Sequence, residues 1–499
     1  MLNTIVFLPL AAALAVLAVP RRIADRAVVW GWIAVAAADL ALVVAAWIGF
    51  NAGGGVQYVT EARWIPSAGI GYHVGVDGLS LPLLALTATL YLACAVYSLR
   101  ETRRVRAYVF LFLLLQTVSL GVFAALDLIL FFVFFDLSIV GMYFVIAGWG
   151  HGEAAAAALK FFLYTFVGSL VLLLGFIGLY LAAAPHTFDI VELTRAQPLG
   201  GHTLYGTLVL LALAVGFAIK TPTVPFHTWL PSAHTEAPAP ASAVLAGVLL
   251  KMGTYGFVRI AMPILPASWR QYALVFVVVG VVSVVYGALV ALAQTNFKRL
   301  VAYTSVNHMG YVILAIGAAG VLAGTDAQAR SLAVTGAVTQ MVSHGLITGT
   351  LFLLAGVLYD RRRSYDLDAY SGLAGTAPAF AGLTAVAAFA SLGLPGFSGF
   401  IAEFQIFTGS FGAEPIATAV AISGILITAA LFVWALQRLF LGPLRLPGGA
   451  RGLFADVHAS EAAATLPLLA LVVAIGVFPR WLLDVIEPAS RALVELVAR

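Results

Sequence analysis

Charge is what this chain has least of. Only 10% of its 499 residues are Asp, Glu, Lys or Arg, against about 25% in a soluble domain. With 62% of its residues hydrophobic, it has too few polar side chains to cover one core with a wet skin. A soluble globular enzyme, a disordered chain and a nucleic-acid-binding protein are excluded, and a formal net charge of +4 is no partner signal by itself. Cysteine is nearly missing. The lone Cys94 permits no intrachain disulfide and no iron–sulfur cluster, which needs several thiolates, so it reads as a small buried hydrophobe. Lysine is scarce as well: Lys160, Lys220, Lys251 and Lys298 stand against 22 arginines among the 26 basic residues. None of them follows the phosphate-cradling pattern G-x-x-x-x-G-K-[ST], which argues against ATP as an energy source. No basic residue precedes the first apolar run; Arg21 and Arg22 follow it. That reads as a membrane helix beginning outside, not as a cleaved signal peptide.

What the chain has in abundance is apolar runs of membrane length, about 20 residues each. Fourteen candidate spans lie near 2–19, 28–50, 79–99, 107–124, 128–148, 155–183, 204–232, 240–262, 272–293, 299–322, 331–358, 377–408, 415–440 and 464–483. The expected fold is an all-α polytopic membrane protein. Two connectors, 51–78 and 184–203, read as polar loops, and no soluble domain is large enough for chemistry of its own. Fifteen Lys and Arg residues, from Arg21 to Arg451, fall in odd-numbered connectors. Five (Arg63, Arg195, Arg259, Arg270 and Arg330) fall in even ones or at their helix edges. The excess places the odd connectors in the cytoplasm and both termini outside. Arg480, Arg491 and Arg499 run against the trend.

The seventh span is interrupted at Lys220-Thr-Pro-Thr-Val-Pro225 and the twelfth at Gly393-Leu-Pro-Gly-Phe-Ser-Gly399. Proline removes a backbone donor, and unwound backbone survives at membrane depth only where protein buries it or a wet cavity receives it. The breaks are five spans apart. Five is odd, so a five-helix repeat returns upside down, which is the transporter arrangement of paired interrupted helices. The expected organisation is an N-terminal three-helix segment over 1–106, a first five-helix repeat over 107–262, an inverted repeat over 272–440, and a last helix with its tail over 464–499.

Six ionisable residues, each in a different span, are singled out at membrane depth: Asp136, Lys220, Lys251, His308, His344 and Glu403. A charge at a helix centre costs about 2.5–3.5 kcal/mol on the insertion scale. Burial and neighbouring charge move such groups towards neutrality, which makes a lysine near a carboxylate a switchable proton store, and histidine bridges such stores. His308 and His344 are also the pair that could in principle hold a b-type haem, a minor reading. Lys160 reads as snorkelling to the interface, Lys298 beside Arg299 as a topology anchor, and Tyr72, His73 and Asp77 as parts of a solvated outer loop. His227, His234 and Glu236 lie in the connector after the first break. They read equally as a proton-uptake group or as a set that caps the loop.

These motifs carry a resemblance. FHTWLPSAHTEAP followed by LAGVLLKMGTYGF, together with Tyr72-His-Val-Gly-Val-Asp-Gly-Leu-Ser, Lys160-Phe-Phe-Leu-Tyr-Thr, Lys298-Arg-Leu-Val-Ala-Tyr-Thr-Ser-Val-Asn-His-Met-Gly and Leu394-Pro-Gly-Phe-Ser-Gly-Phe-Ile-Ala-Glu-Phe, resembles the antiporter-like M chains (subunit 4) of proton-translocating NADH:quinone oxidoreductase, respiratory complex I. The resemblance covers almost the whole chain. It implies fourteen membrane helices, two inverted five-helix repeats, and broken helices seven and twelve. It also implies a proton-pumping module of the membrane arm in a bacterial-type cytoplasmic (inner) membrane. By the resemblance this chain binds no cofactor, and NADH, FMN, iron–sulfur clusters and quinone belong to partner subunits. The expected partners are the lipid bilayer and other membrane-arm subunits, with antiporter-like L and N chains as neighbours.

The family's helix 7 and helix 8 lysines map onto Lys220 and Lys251, its helix 11 histidine onto His344 and its helix 12 glutamate onto Glu403. That glutamate separates this chain type from relatives that carry lysine there. A long C-terminal extension, which marks the L chains, is absent from the sequence. One departure stands out: the helix 5 acid, normally glutamate, is Asp136, whose reach towards Lys220 is shorter by about 1 Å. The expected route loads Lys251 from the cytoplasm, runs through the histidines and Glu403, and leaves outward, with an Asp136–Lys220 pair as the gate. The rival readings are a cation/proton antiporter subunit and the same module in a ferredoxin- or hydrogenase-driven complex.

Overall fold

The computed structural model describes residues 1–18, 20, 22–201, 203–321, 325–447 and 453–498. Arg21, Arg451 and Arg499, which entered the charge count, and residues 19 and 322, which end two predicted spans, lie outside these. Without water at membrane depth each backbone N–H and C=O must be satisfied within its own segment, so apolar runs become helices. In order these are α1 (Leu2–Ala18), α2 (Asp25–Ile48), α3 (Leu81–Tyr97), α4 (Val105–Ala124), α5 (Leu128–Trp149) and α6 (Ala154–Ala182). A short α7 (Ile190–Ala196) precedes α8 (Leu204–Lys220) and α9 (Leu230–Glu236). Next come α10 (Ala239–Ile264), α11 (Pro266–Leu292), α12 (Phe297–Val321), α13 (Ala327–Arg362), α14 (Pro378–Ser391) and α15 (Ser398–Phe411). The chain ends with α16 (Pro415–Phe440), α17 (Ala459–Val477) and α18 (Arg480–Ala498). Among the described residues eleven helices are long and apolar enough to cross a membrane, and three shorter apolar helices, α1, α8 and α14, fall on the first, seventh and twelfth predicted spans.

Connectors sort onto two faces. Odd ones bind odd ones: Arg106 donates to the Pro20 carbonyl at 3.0 Å, His151 N–H to Glu236 O at 3.0 Å, and Phe297 N–H to Tyr365 O at 2.8 Å. Even ones bind even ones: Leu128 N–H reaches Phe188 O at 2.9 Å and Arg330 reaches the Val494 carbonyl at 2.7 Å. Several expectations change here. The 51–78 connector is an antiparallel hairpin, β1 (Gln57–Ile65) with β2 (Ile70–Val76). Asp127 fastens it: its carboxylate caps α5 through the Ile129 and Leu130 amides at 2.9 and 3.0 Å and accepts from Gly71 N–H at 3.1 Å. Asp77 is not solvated. It is buried and meets Arg259 at 2.5 Å, because a carboxylate entering the protein needs a counter-charge. The predicted last span, 464–483, is two helices, α17 ending at Val477 and the amphipathic α18.

Lipid is as apolar as leucine, so helices associate by packing and not by hiding from water. Leu174, Ile416 and Leu426 accordingly point outward, while α10 and the middle of α13 are enclosed. Close backbone approach needs small residues: a Cβ on Gly280 would lie 2.5 Å from Leu314 N, so α11 and α12 meet at glycine.

Candidate functional site

The two interrupted helices set the site. After α8 ends at Lys220 the chain turns through Thr221–Trp229 before α9. Protein meets the freed groups: Trp229 donates to Ile219 O at 3.0 Å and Val224 N–H to the Ser283 hydroxyl at 3.0 Å. Between α14 and α15, Gly393 and Gly396 take φ of +75° and +96°, left-handed backbone that costs a glycine little. Gly393 has a second reason to be glycine, since a Cβ there would lie 2.2 Å from the Glu403 carboxylate. The break and the acid are built against each other.

Four of the six predicted groups form one buried file. Lys251 Nζ lies 2.6 Å from His344 Nδ1 and donates to the Ala246 carbonyl at 2.5 Å. That carbonyl belongs to a π-turn, Leu245–Leu249, and a second π-turn, Phe257–Ala261, follows the lysine. Such turns recur at functional sites because they leave backbone groups out of register. The His344 and His308 rings are 5.4 Å apart between centroids. His308 Nδ1 lies 3.6 Å from the Glu403 carboxylate and 3.2 Å from the Gln340 amide, and its Nε2 is 3.2 Å from the Ser391 hydroxyl. Lys251, His344, His308 and Glu403 are all buried, and His344 Nε2 and Glu403 Oε2 have no partner among the described residues. A cavity of about 10 Å³ touches His308, His344, Ser391 and Glu403, close to the smallest space that holds one water.

The other two groups form a separate cluster. Lys220, buried, donates to the Ser138 hydroxyl at 3.0 Å and lies 4.8 Å from the Phe135 ring centroid. Asp136 is half-buried beside Ser169, and its Oδ1 has no partner among the described residues. Among the described residues no ion pair within 4.0 Å joins Asp136 to Lys220, so the expected pair is not closed here; Ser138 takes the place of the acid. Asp136 and Ser138 are two positions apart on one helix and point to different sides. The Thr221 hydroxyl, next in sequence to Lys220 and buried without a partner among the described residues, lies against the Gly253 turn of α10.

Gln340, Ser391 and Ser138 join the site without a sequence signal, since one polar residue in an apolar span looks like any other. Lys298 was misread. It is fully buried, donates to the Ala237 carbonyl and sits 5.2 Å from the Tyr365 ring centroid; a charge that only anchored topology would lie in water. His234 is also fully buried, inside α9, and not in an open connector. His227 is buried in the unwound segment, 5.0 Å from the Tyr286 ring. Lys160 is exposed, as a snorkelling lysine would be. Cys94 is buried near the Pro240 carbonyl.

Residues 125–428, more than half of the chain, match the family model described as NADH:quinone oxidoreductase/Mrp antiporter, TM. NADH-quinone oxidoreductase subunit M of Rhodobacter capsulatus is 40% identical over 512 aligned positions, covering 99% of this chain and 96% of the relative. NAD(P)H-quinone oxidoreductase chain 4 1 of a Picosynechococcus species is 37% identical over 517 positions, covering 99% and 93%. A chain of respiratory complex I from Thermus thermophilus with bound NADH superposes with a TM-score of 0.89 at 29% identity, both chains covered in full. A chain of the Mrp complex from a Dietzia species shares the fold, with a TM-score of 0.85 at 23% identity over 100% of this chain and 99% of that one. Interrupted helices around a buried file of lysine, histidine and glutamate, in a chain so closely related to these over its whole length, place this protein in the NADH:quinone oxidoreductase/Mrp antiporter membrane-subunit family, on its subunit M branch.

Proposed function

We propose that this chain is a proton-translocating subunit in the membrane arm of an NADH:quinone oxidoreductase. The observation that carries the reading is the buried file Lys251–His344–His308–Glu403, held by 2.6 and 3.6 Å contacts at its two ends. A protonated Lys251 gives its proton to His344 Nδ1. One water in the adjoining cavity bridges the step to His308, and His308 passes the proton to Glu403. Each group can lose or gain the proton at physiological pH once its surroundings are tuned. The Asp136–Lys220 cluster gates the file: Lys220 moves between Ser138 and Asp136 as charge changes in the neighbouring subunit. The two breaks sit in inverted repeats, 107–262 and 272–440, behind the three-helix segment 1–106.

Electron transfer belongs to partner subunits, which hold NADH, FMN, iron–sulfur clusters and quinone, and this chain carries no redox centre. Its neighbours are the antiporter-like L and N chains, its membrane is the bacterial cytoplasmic one, and both termini face outward. Sodium in place of the proton fits less well. A hard cation wants several oxygen ligands, whereas nitrogen atoms make up three of the four stations.

The test is Glu403→Gln, which keeps volume and removes ionisation, in the complex reconstituted in liposomes. The expected result is a lowered proton-to-electron ratio and slower coupled quinone reduction, with the chain still assembled. An unaltered ratio overturns the reading.

A further inference from the structure

We infer that Gln340 is a positioning residue of the file: its carboxamide sets which ring nitrogen of His308 holds the proton, and it turns over as that proton passes to Glu403. The inference rests on the reading of the chain as a proton-translocating subunit and names the side chain that prepares one of its steps.

His308 stands on α12 and meets side chains from three other helices. Gln340 lies on α13 one turn before His344, so the two share a face; Ser391 ends α14 and Glu403 stands on α15. All of them are buried. Two of these side chains meet the same atom, His308 Nδ1: the Gln340 amide nitrogen at 3.2 Å and the Glu403 carboxylate at 3.6 Å. Their demands are opposite. An amide nitrogen only donates, so it needs Nδ1 bare; a carboxylate only accepts, so it needs a proton there. The Ser391 hydroxyl, 3.2 Å from Nε2, makes no choice, because a hydroxyl donates or accepts. The choice therefore falls to Gln340. With its N–H aimed at Nδ1, the neutral ring carries its proton on Nε2 and donates it to the Ser391 oxygen.

The other end of the same carboxamide is idle. Gln340 Oε1 is buried without a partner among the described residues, although buried polar atoms are nearly always satisfied. A half-turn about the last side-chain bond exchanges the amide oxygen and nitrogen within the same volume, and that torsion has two broad wells. The idle oxygen then becomes the acceptor that a charged His308 needs at Nδ1. The cavity of about 10 Å³ touches Gln340 as well as His344, His308 and Glu403, so its water delivers the proton where the amide turns. Each passage closes on itself. A proton from His344 reaches Nδ1 through the cavity water, and the ring becomes an imidazolium. Gln340 turns its oxygen towards the new N–H. The Nδ1 proton leaves for the Glu403 carboxylate, which becomes the acid, and the ring returns to its Nε2–H form. Gln340 turns back, and its N–H takes the Nδ1 lone pair in place of the Glu403 O–H, which frees the acid to pass its proton on.

The experiment uses the intact complex in liposomes, carrying isotope-labelled histidine. Infrared difference spectroscopy reads the tautomer of His308, whose bands are identified by their loss in His308→Gln, and the proton-to-electron ratio is measured on the same preparations. At rest the unsubstituted ring should be in the Nε2–H form. Gln340→Met keeps the side-chain length and removes both polar ends. It should lower the population ratio of Nε2–H to Nδ1–H about fivefold, the worth of one hydrogen bond, and lower the proton-to-electron ratio by no more than Glu403→Gln does. A residue that only filled space would leave the tautomer as it was. A resting ring in the Nδ1–H form overturns the proposal, and so does an unaltered tautomer in Gln340→Met. If Gln340→Met does not assemble, Gln340→Asn, whose amide stops one methylene short, decides by the same two measurements. Glu403→Gln separates the two levels. A lowered proton-to-electron ratio there with an unaltered one in the Gln340 variants removes the role of Gln340 alone; an unaltered ratio in all of them removes the proton-translocating reading itself.

Discussion

Gly393→Ala is the substitution that reads most directly on how the second break and the file are joined. The added methyl carbon would lie 2.2 Å from Glu403 Oε2, at a residue with φ of +75°. Two costs follow. Left-handed backbone costs an alanine roughly 1–2 kcal/mol. Overpacking costs about 1–3 kcal/mol, and it is relieved most cheaply by swinging the carboxylate, the free end of a flexible side chain, away from His308. The backbone cost loosens the break; the packing cost empties the productive Glu403 position by about five- to a hundredfold. Gly396→Ala is the matched control, because its φ is +96° and nothing lies within 4 Å of an added Cβ. Both variants should lower the thermal stability of the purified complex, Gly393→Ala by the larger amount because it alone carries the packing cost. Only Gly393→Ala should lower the proton-to-electron ratio, measured by dye quenching during NADH oxidation in liposomes. Equal ratios in the two variants would refute the argument that Glu403 is positioned by the break.

Two further predictions concern the hairpin side. Asp77→Ala leaves Arg259 buried without its 2.5 Å partner and removes the acceptor of the Leu79 and Ser80 amides. It should cost about 3–5 kcal/mol, read as earlier heat-induced loss of this chain from the detergent-purified complex. A loss under about 1 kcal/mol, the range of exposed pairs, would show the pair to be solvated. His73, in the hairpin outside the spans, is raised above its ordinary range, first by its hydrogen bond to Asp189. Its contribution to stability is therefore complete below the unfolded value near 6.5 and is lost as pH rises through the folded value. Hydrogen exchange over residues 57–76 should speed up across that window beyond its intrinsic rise with pH. Asp189→Asn should abolish the step, and an unchanged step in that variant would remove the assignment.

Much of the site was legible without coordinates, for a reason specific to membranes. An ionisable side chain in an apolar run is costly, so Lys251, His308, His344 and Glu403 stood out one by one. So did the breaks, because proline and glycine interrupt a helix wherever they fall. What stayed hidden was which face of each helix points inward. In a soluble helix the apolar stripe marks the core; here the lipid side is as apolar as the protein side, and the stripe disappears. The sequence could therefore place Asp136 near Lys220 in depth without showing that Ser138, not Asp136, receives the ammonium. By its end-of-helix position and its arginine neighbour, Lys298 looked like an anchor, and only packing against Ala237 and Tyr365 buries it.

Sequence by itself determined the membrane class, the approximate spans, the two interruptions and the inventory of titratable groups. All of these follow from local composition and backbone chemistry. Tertiary structure decided which groups share one file, that Asp77 is paired, and that His234 and Lys298 are enclosed. Those outcomes depend on the rotation and close approach of helices far apart in the chain, and lipid-facing apolar surface leaves no trace of them in the order of residues.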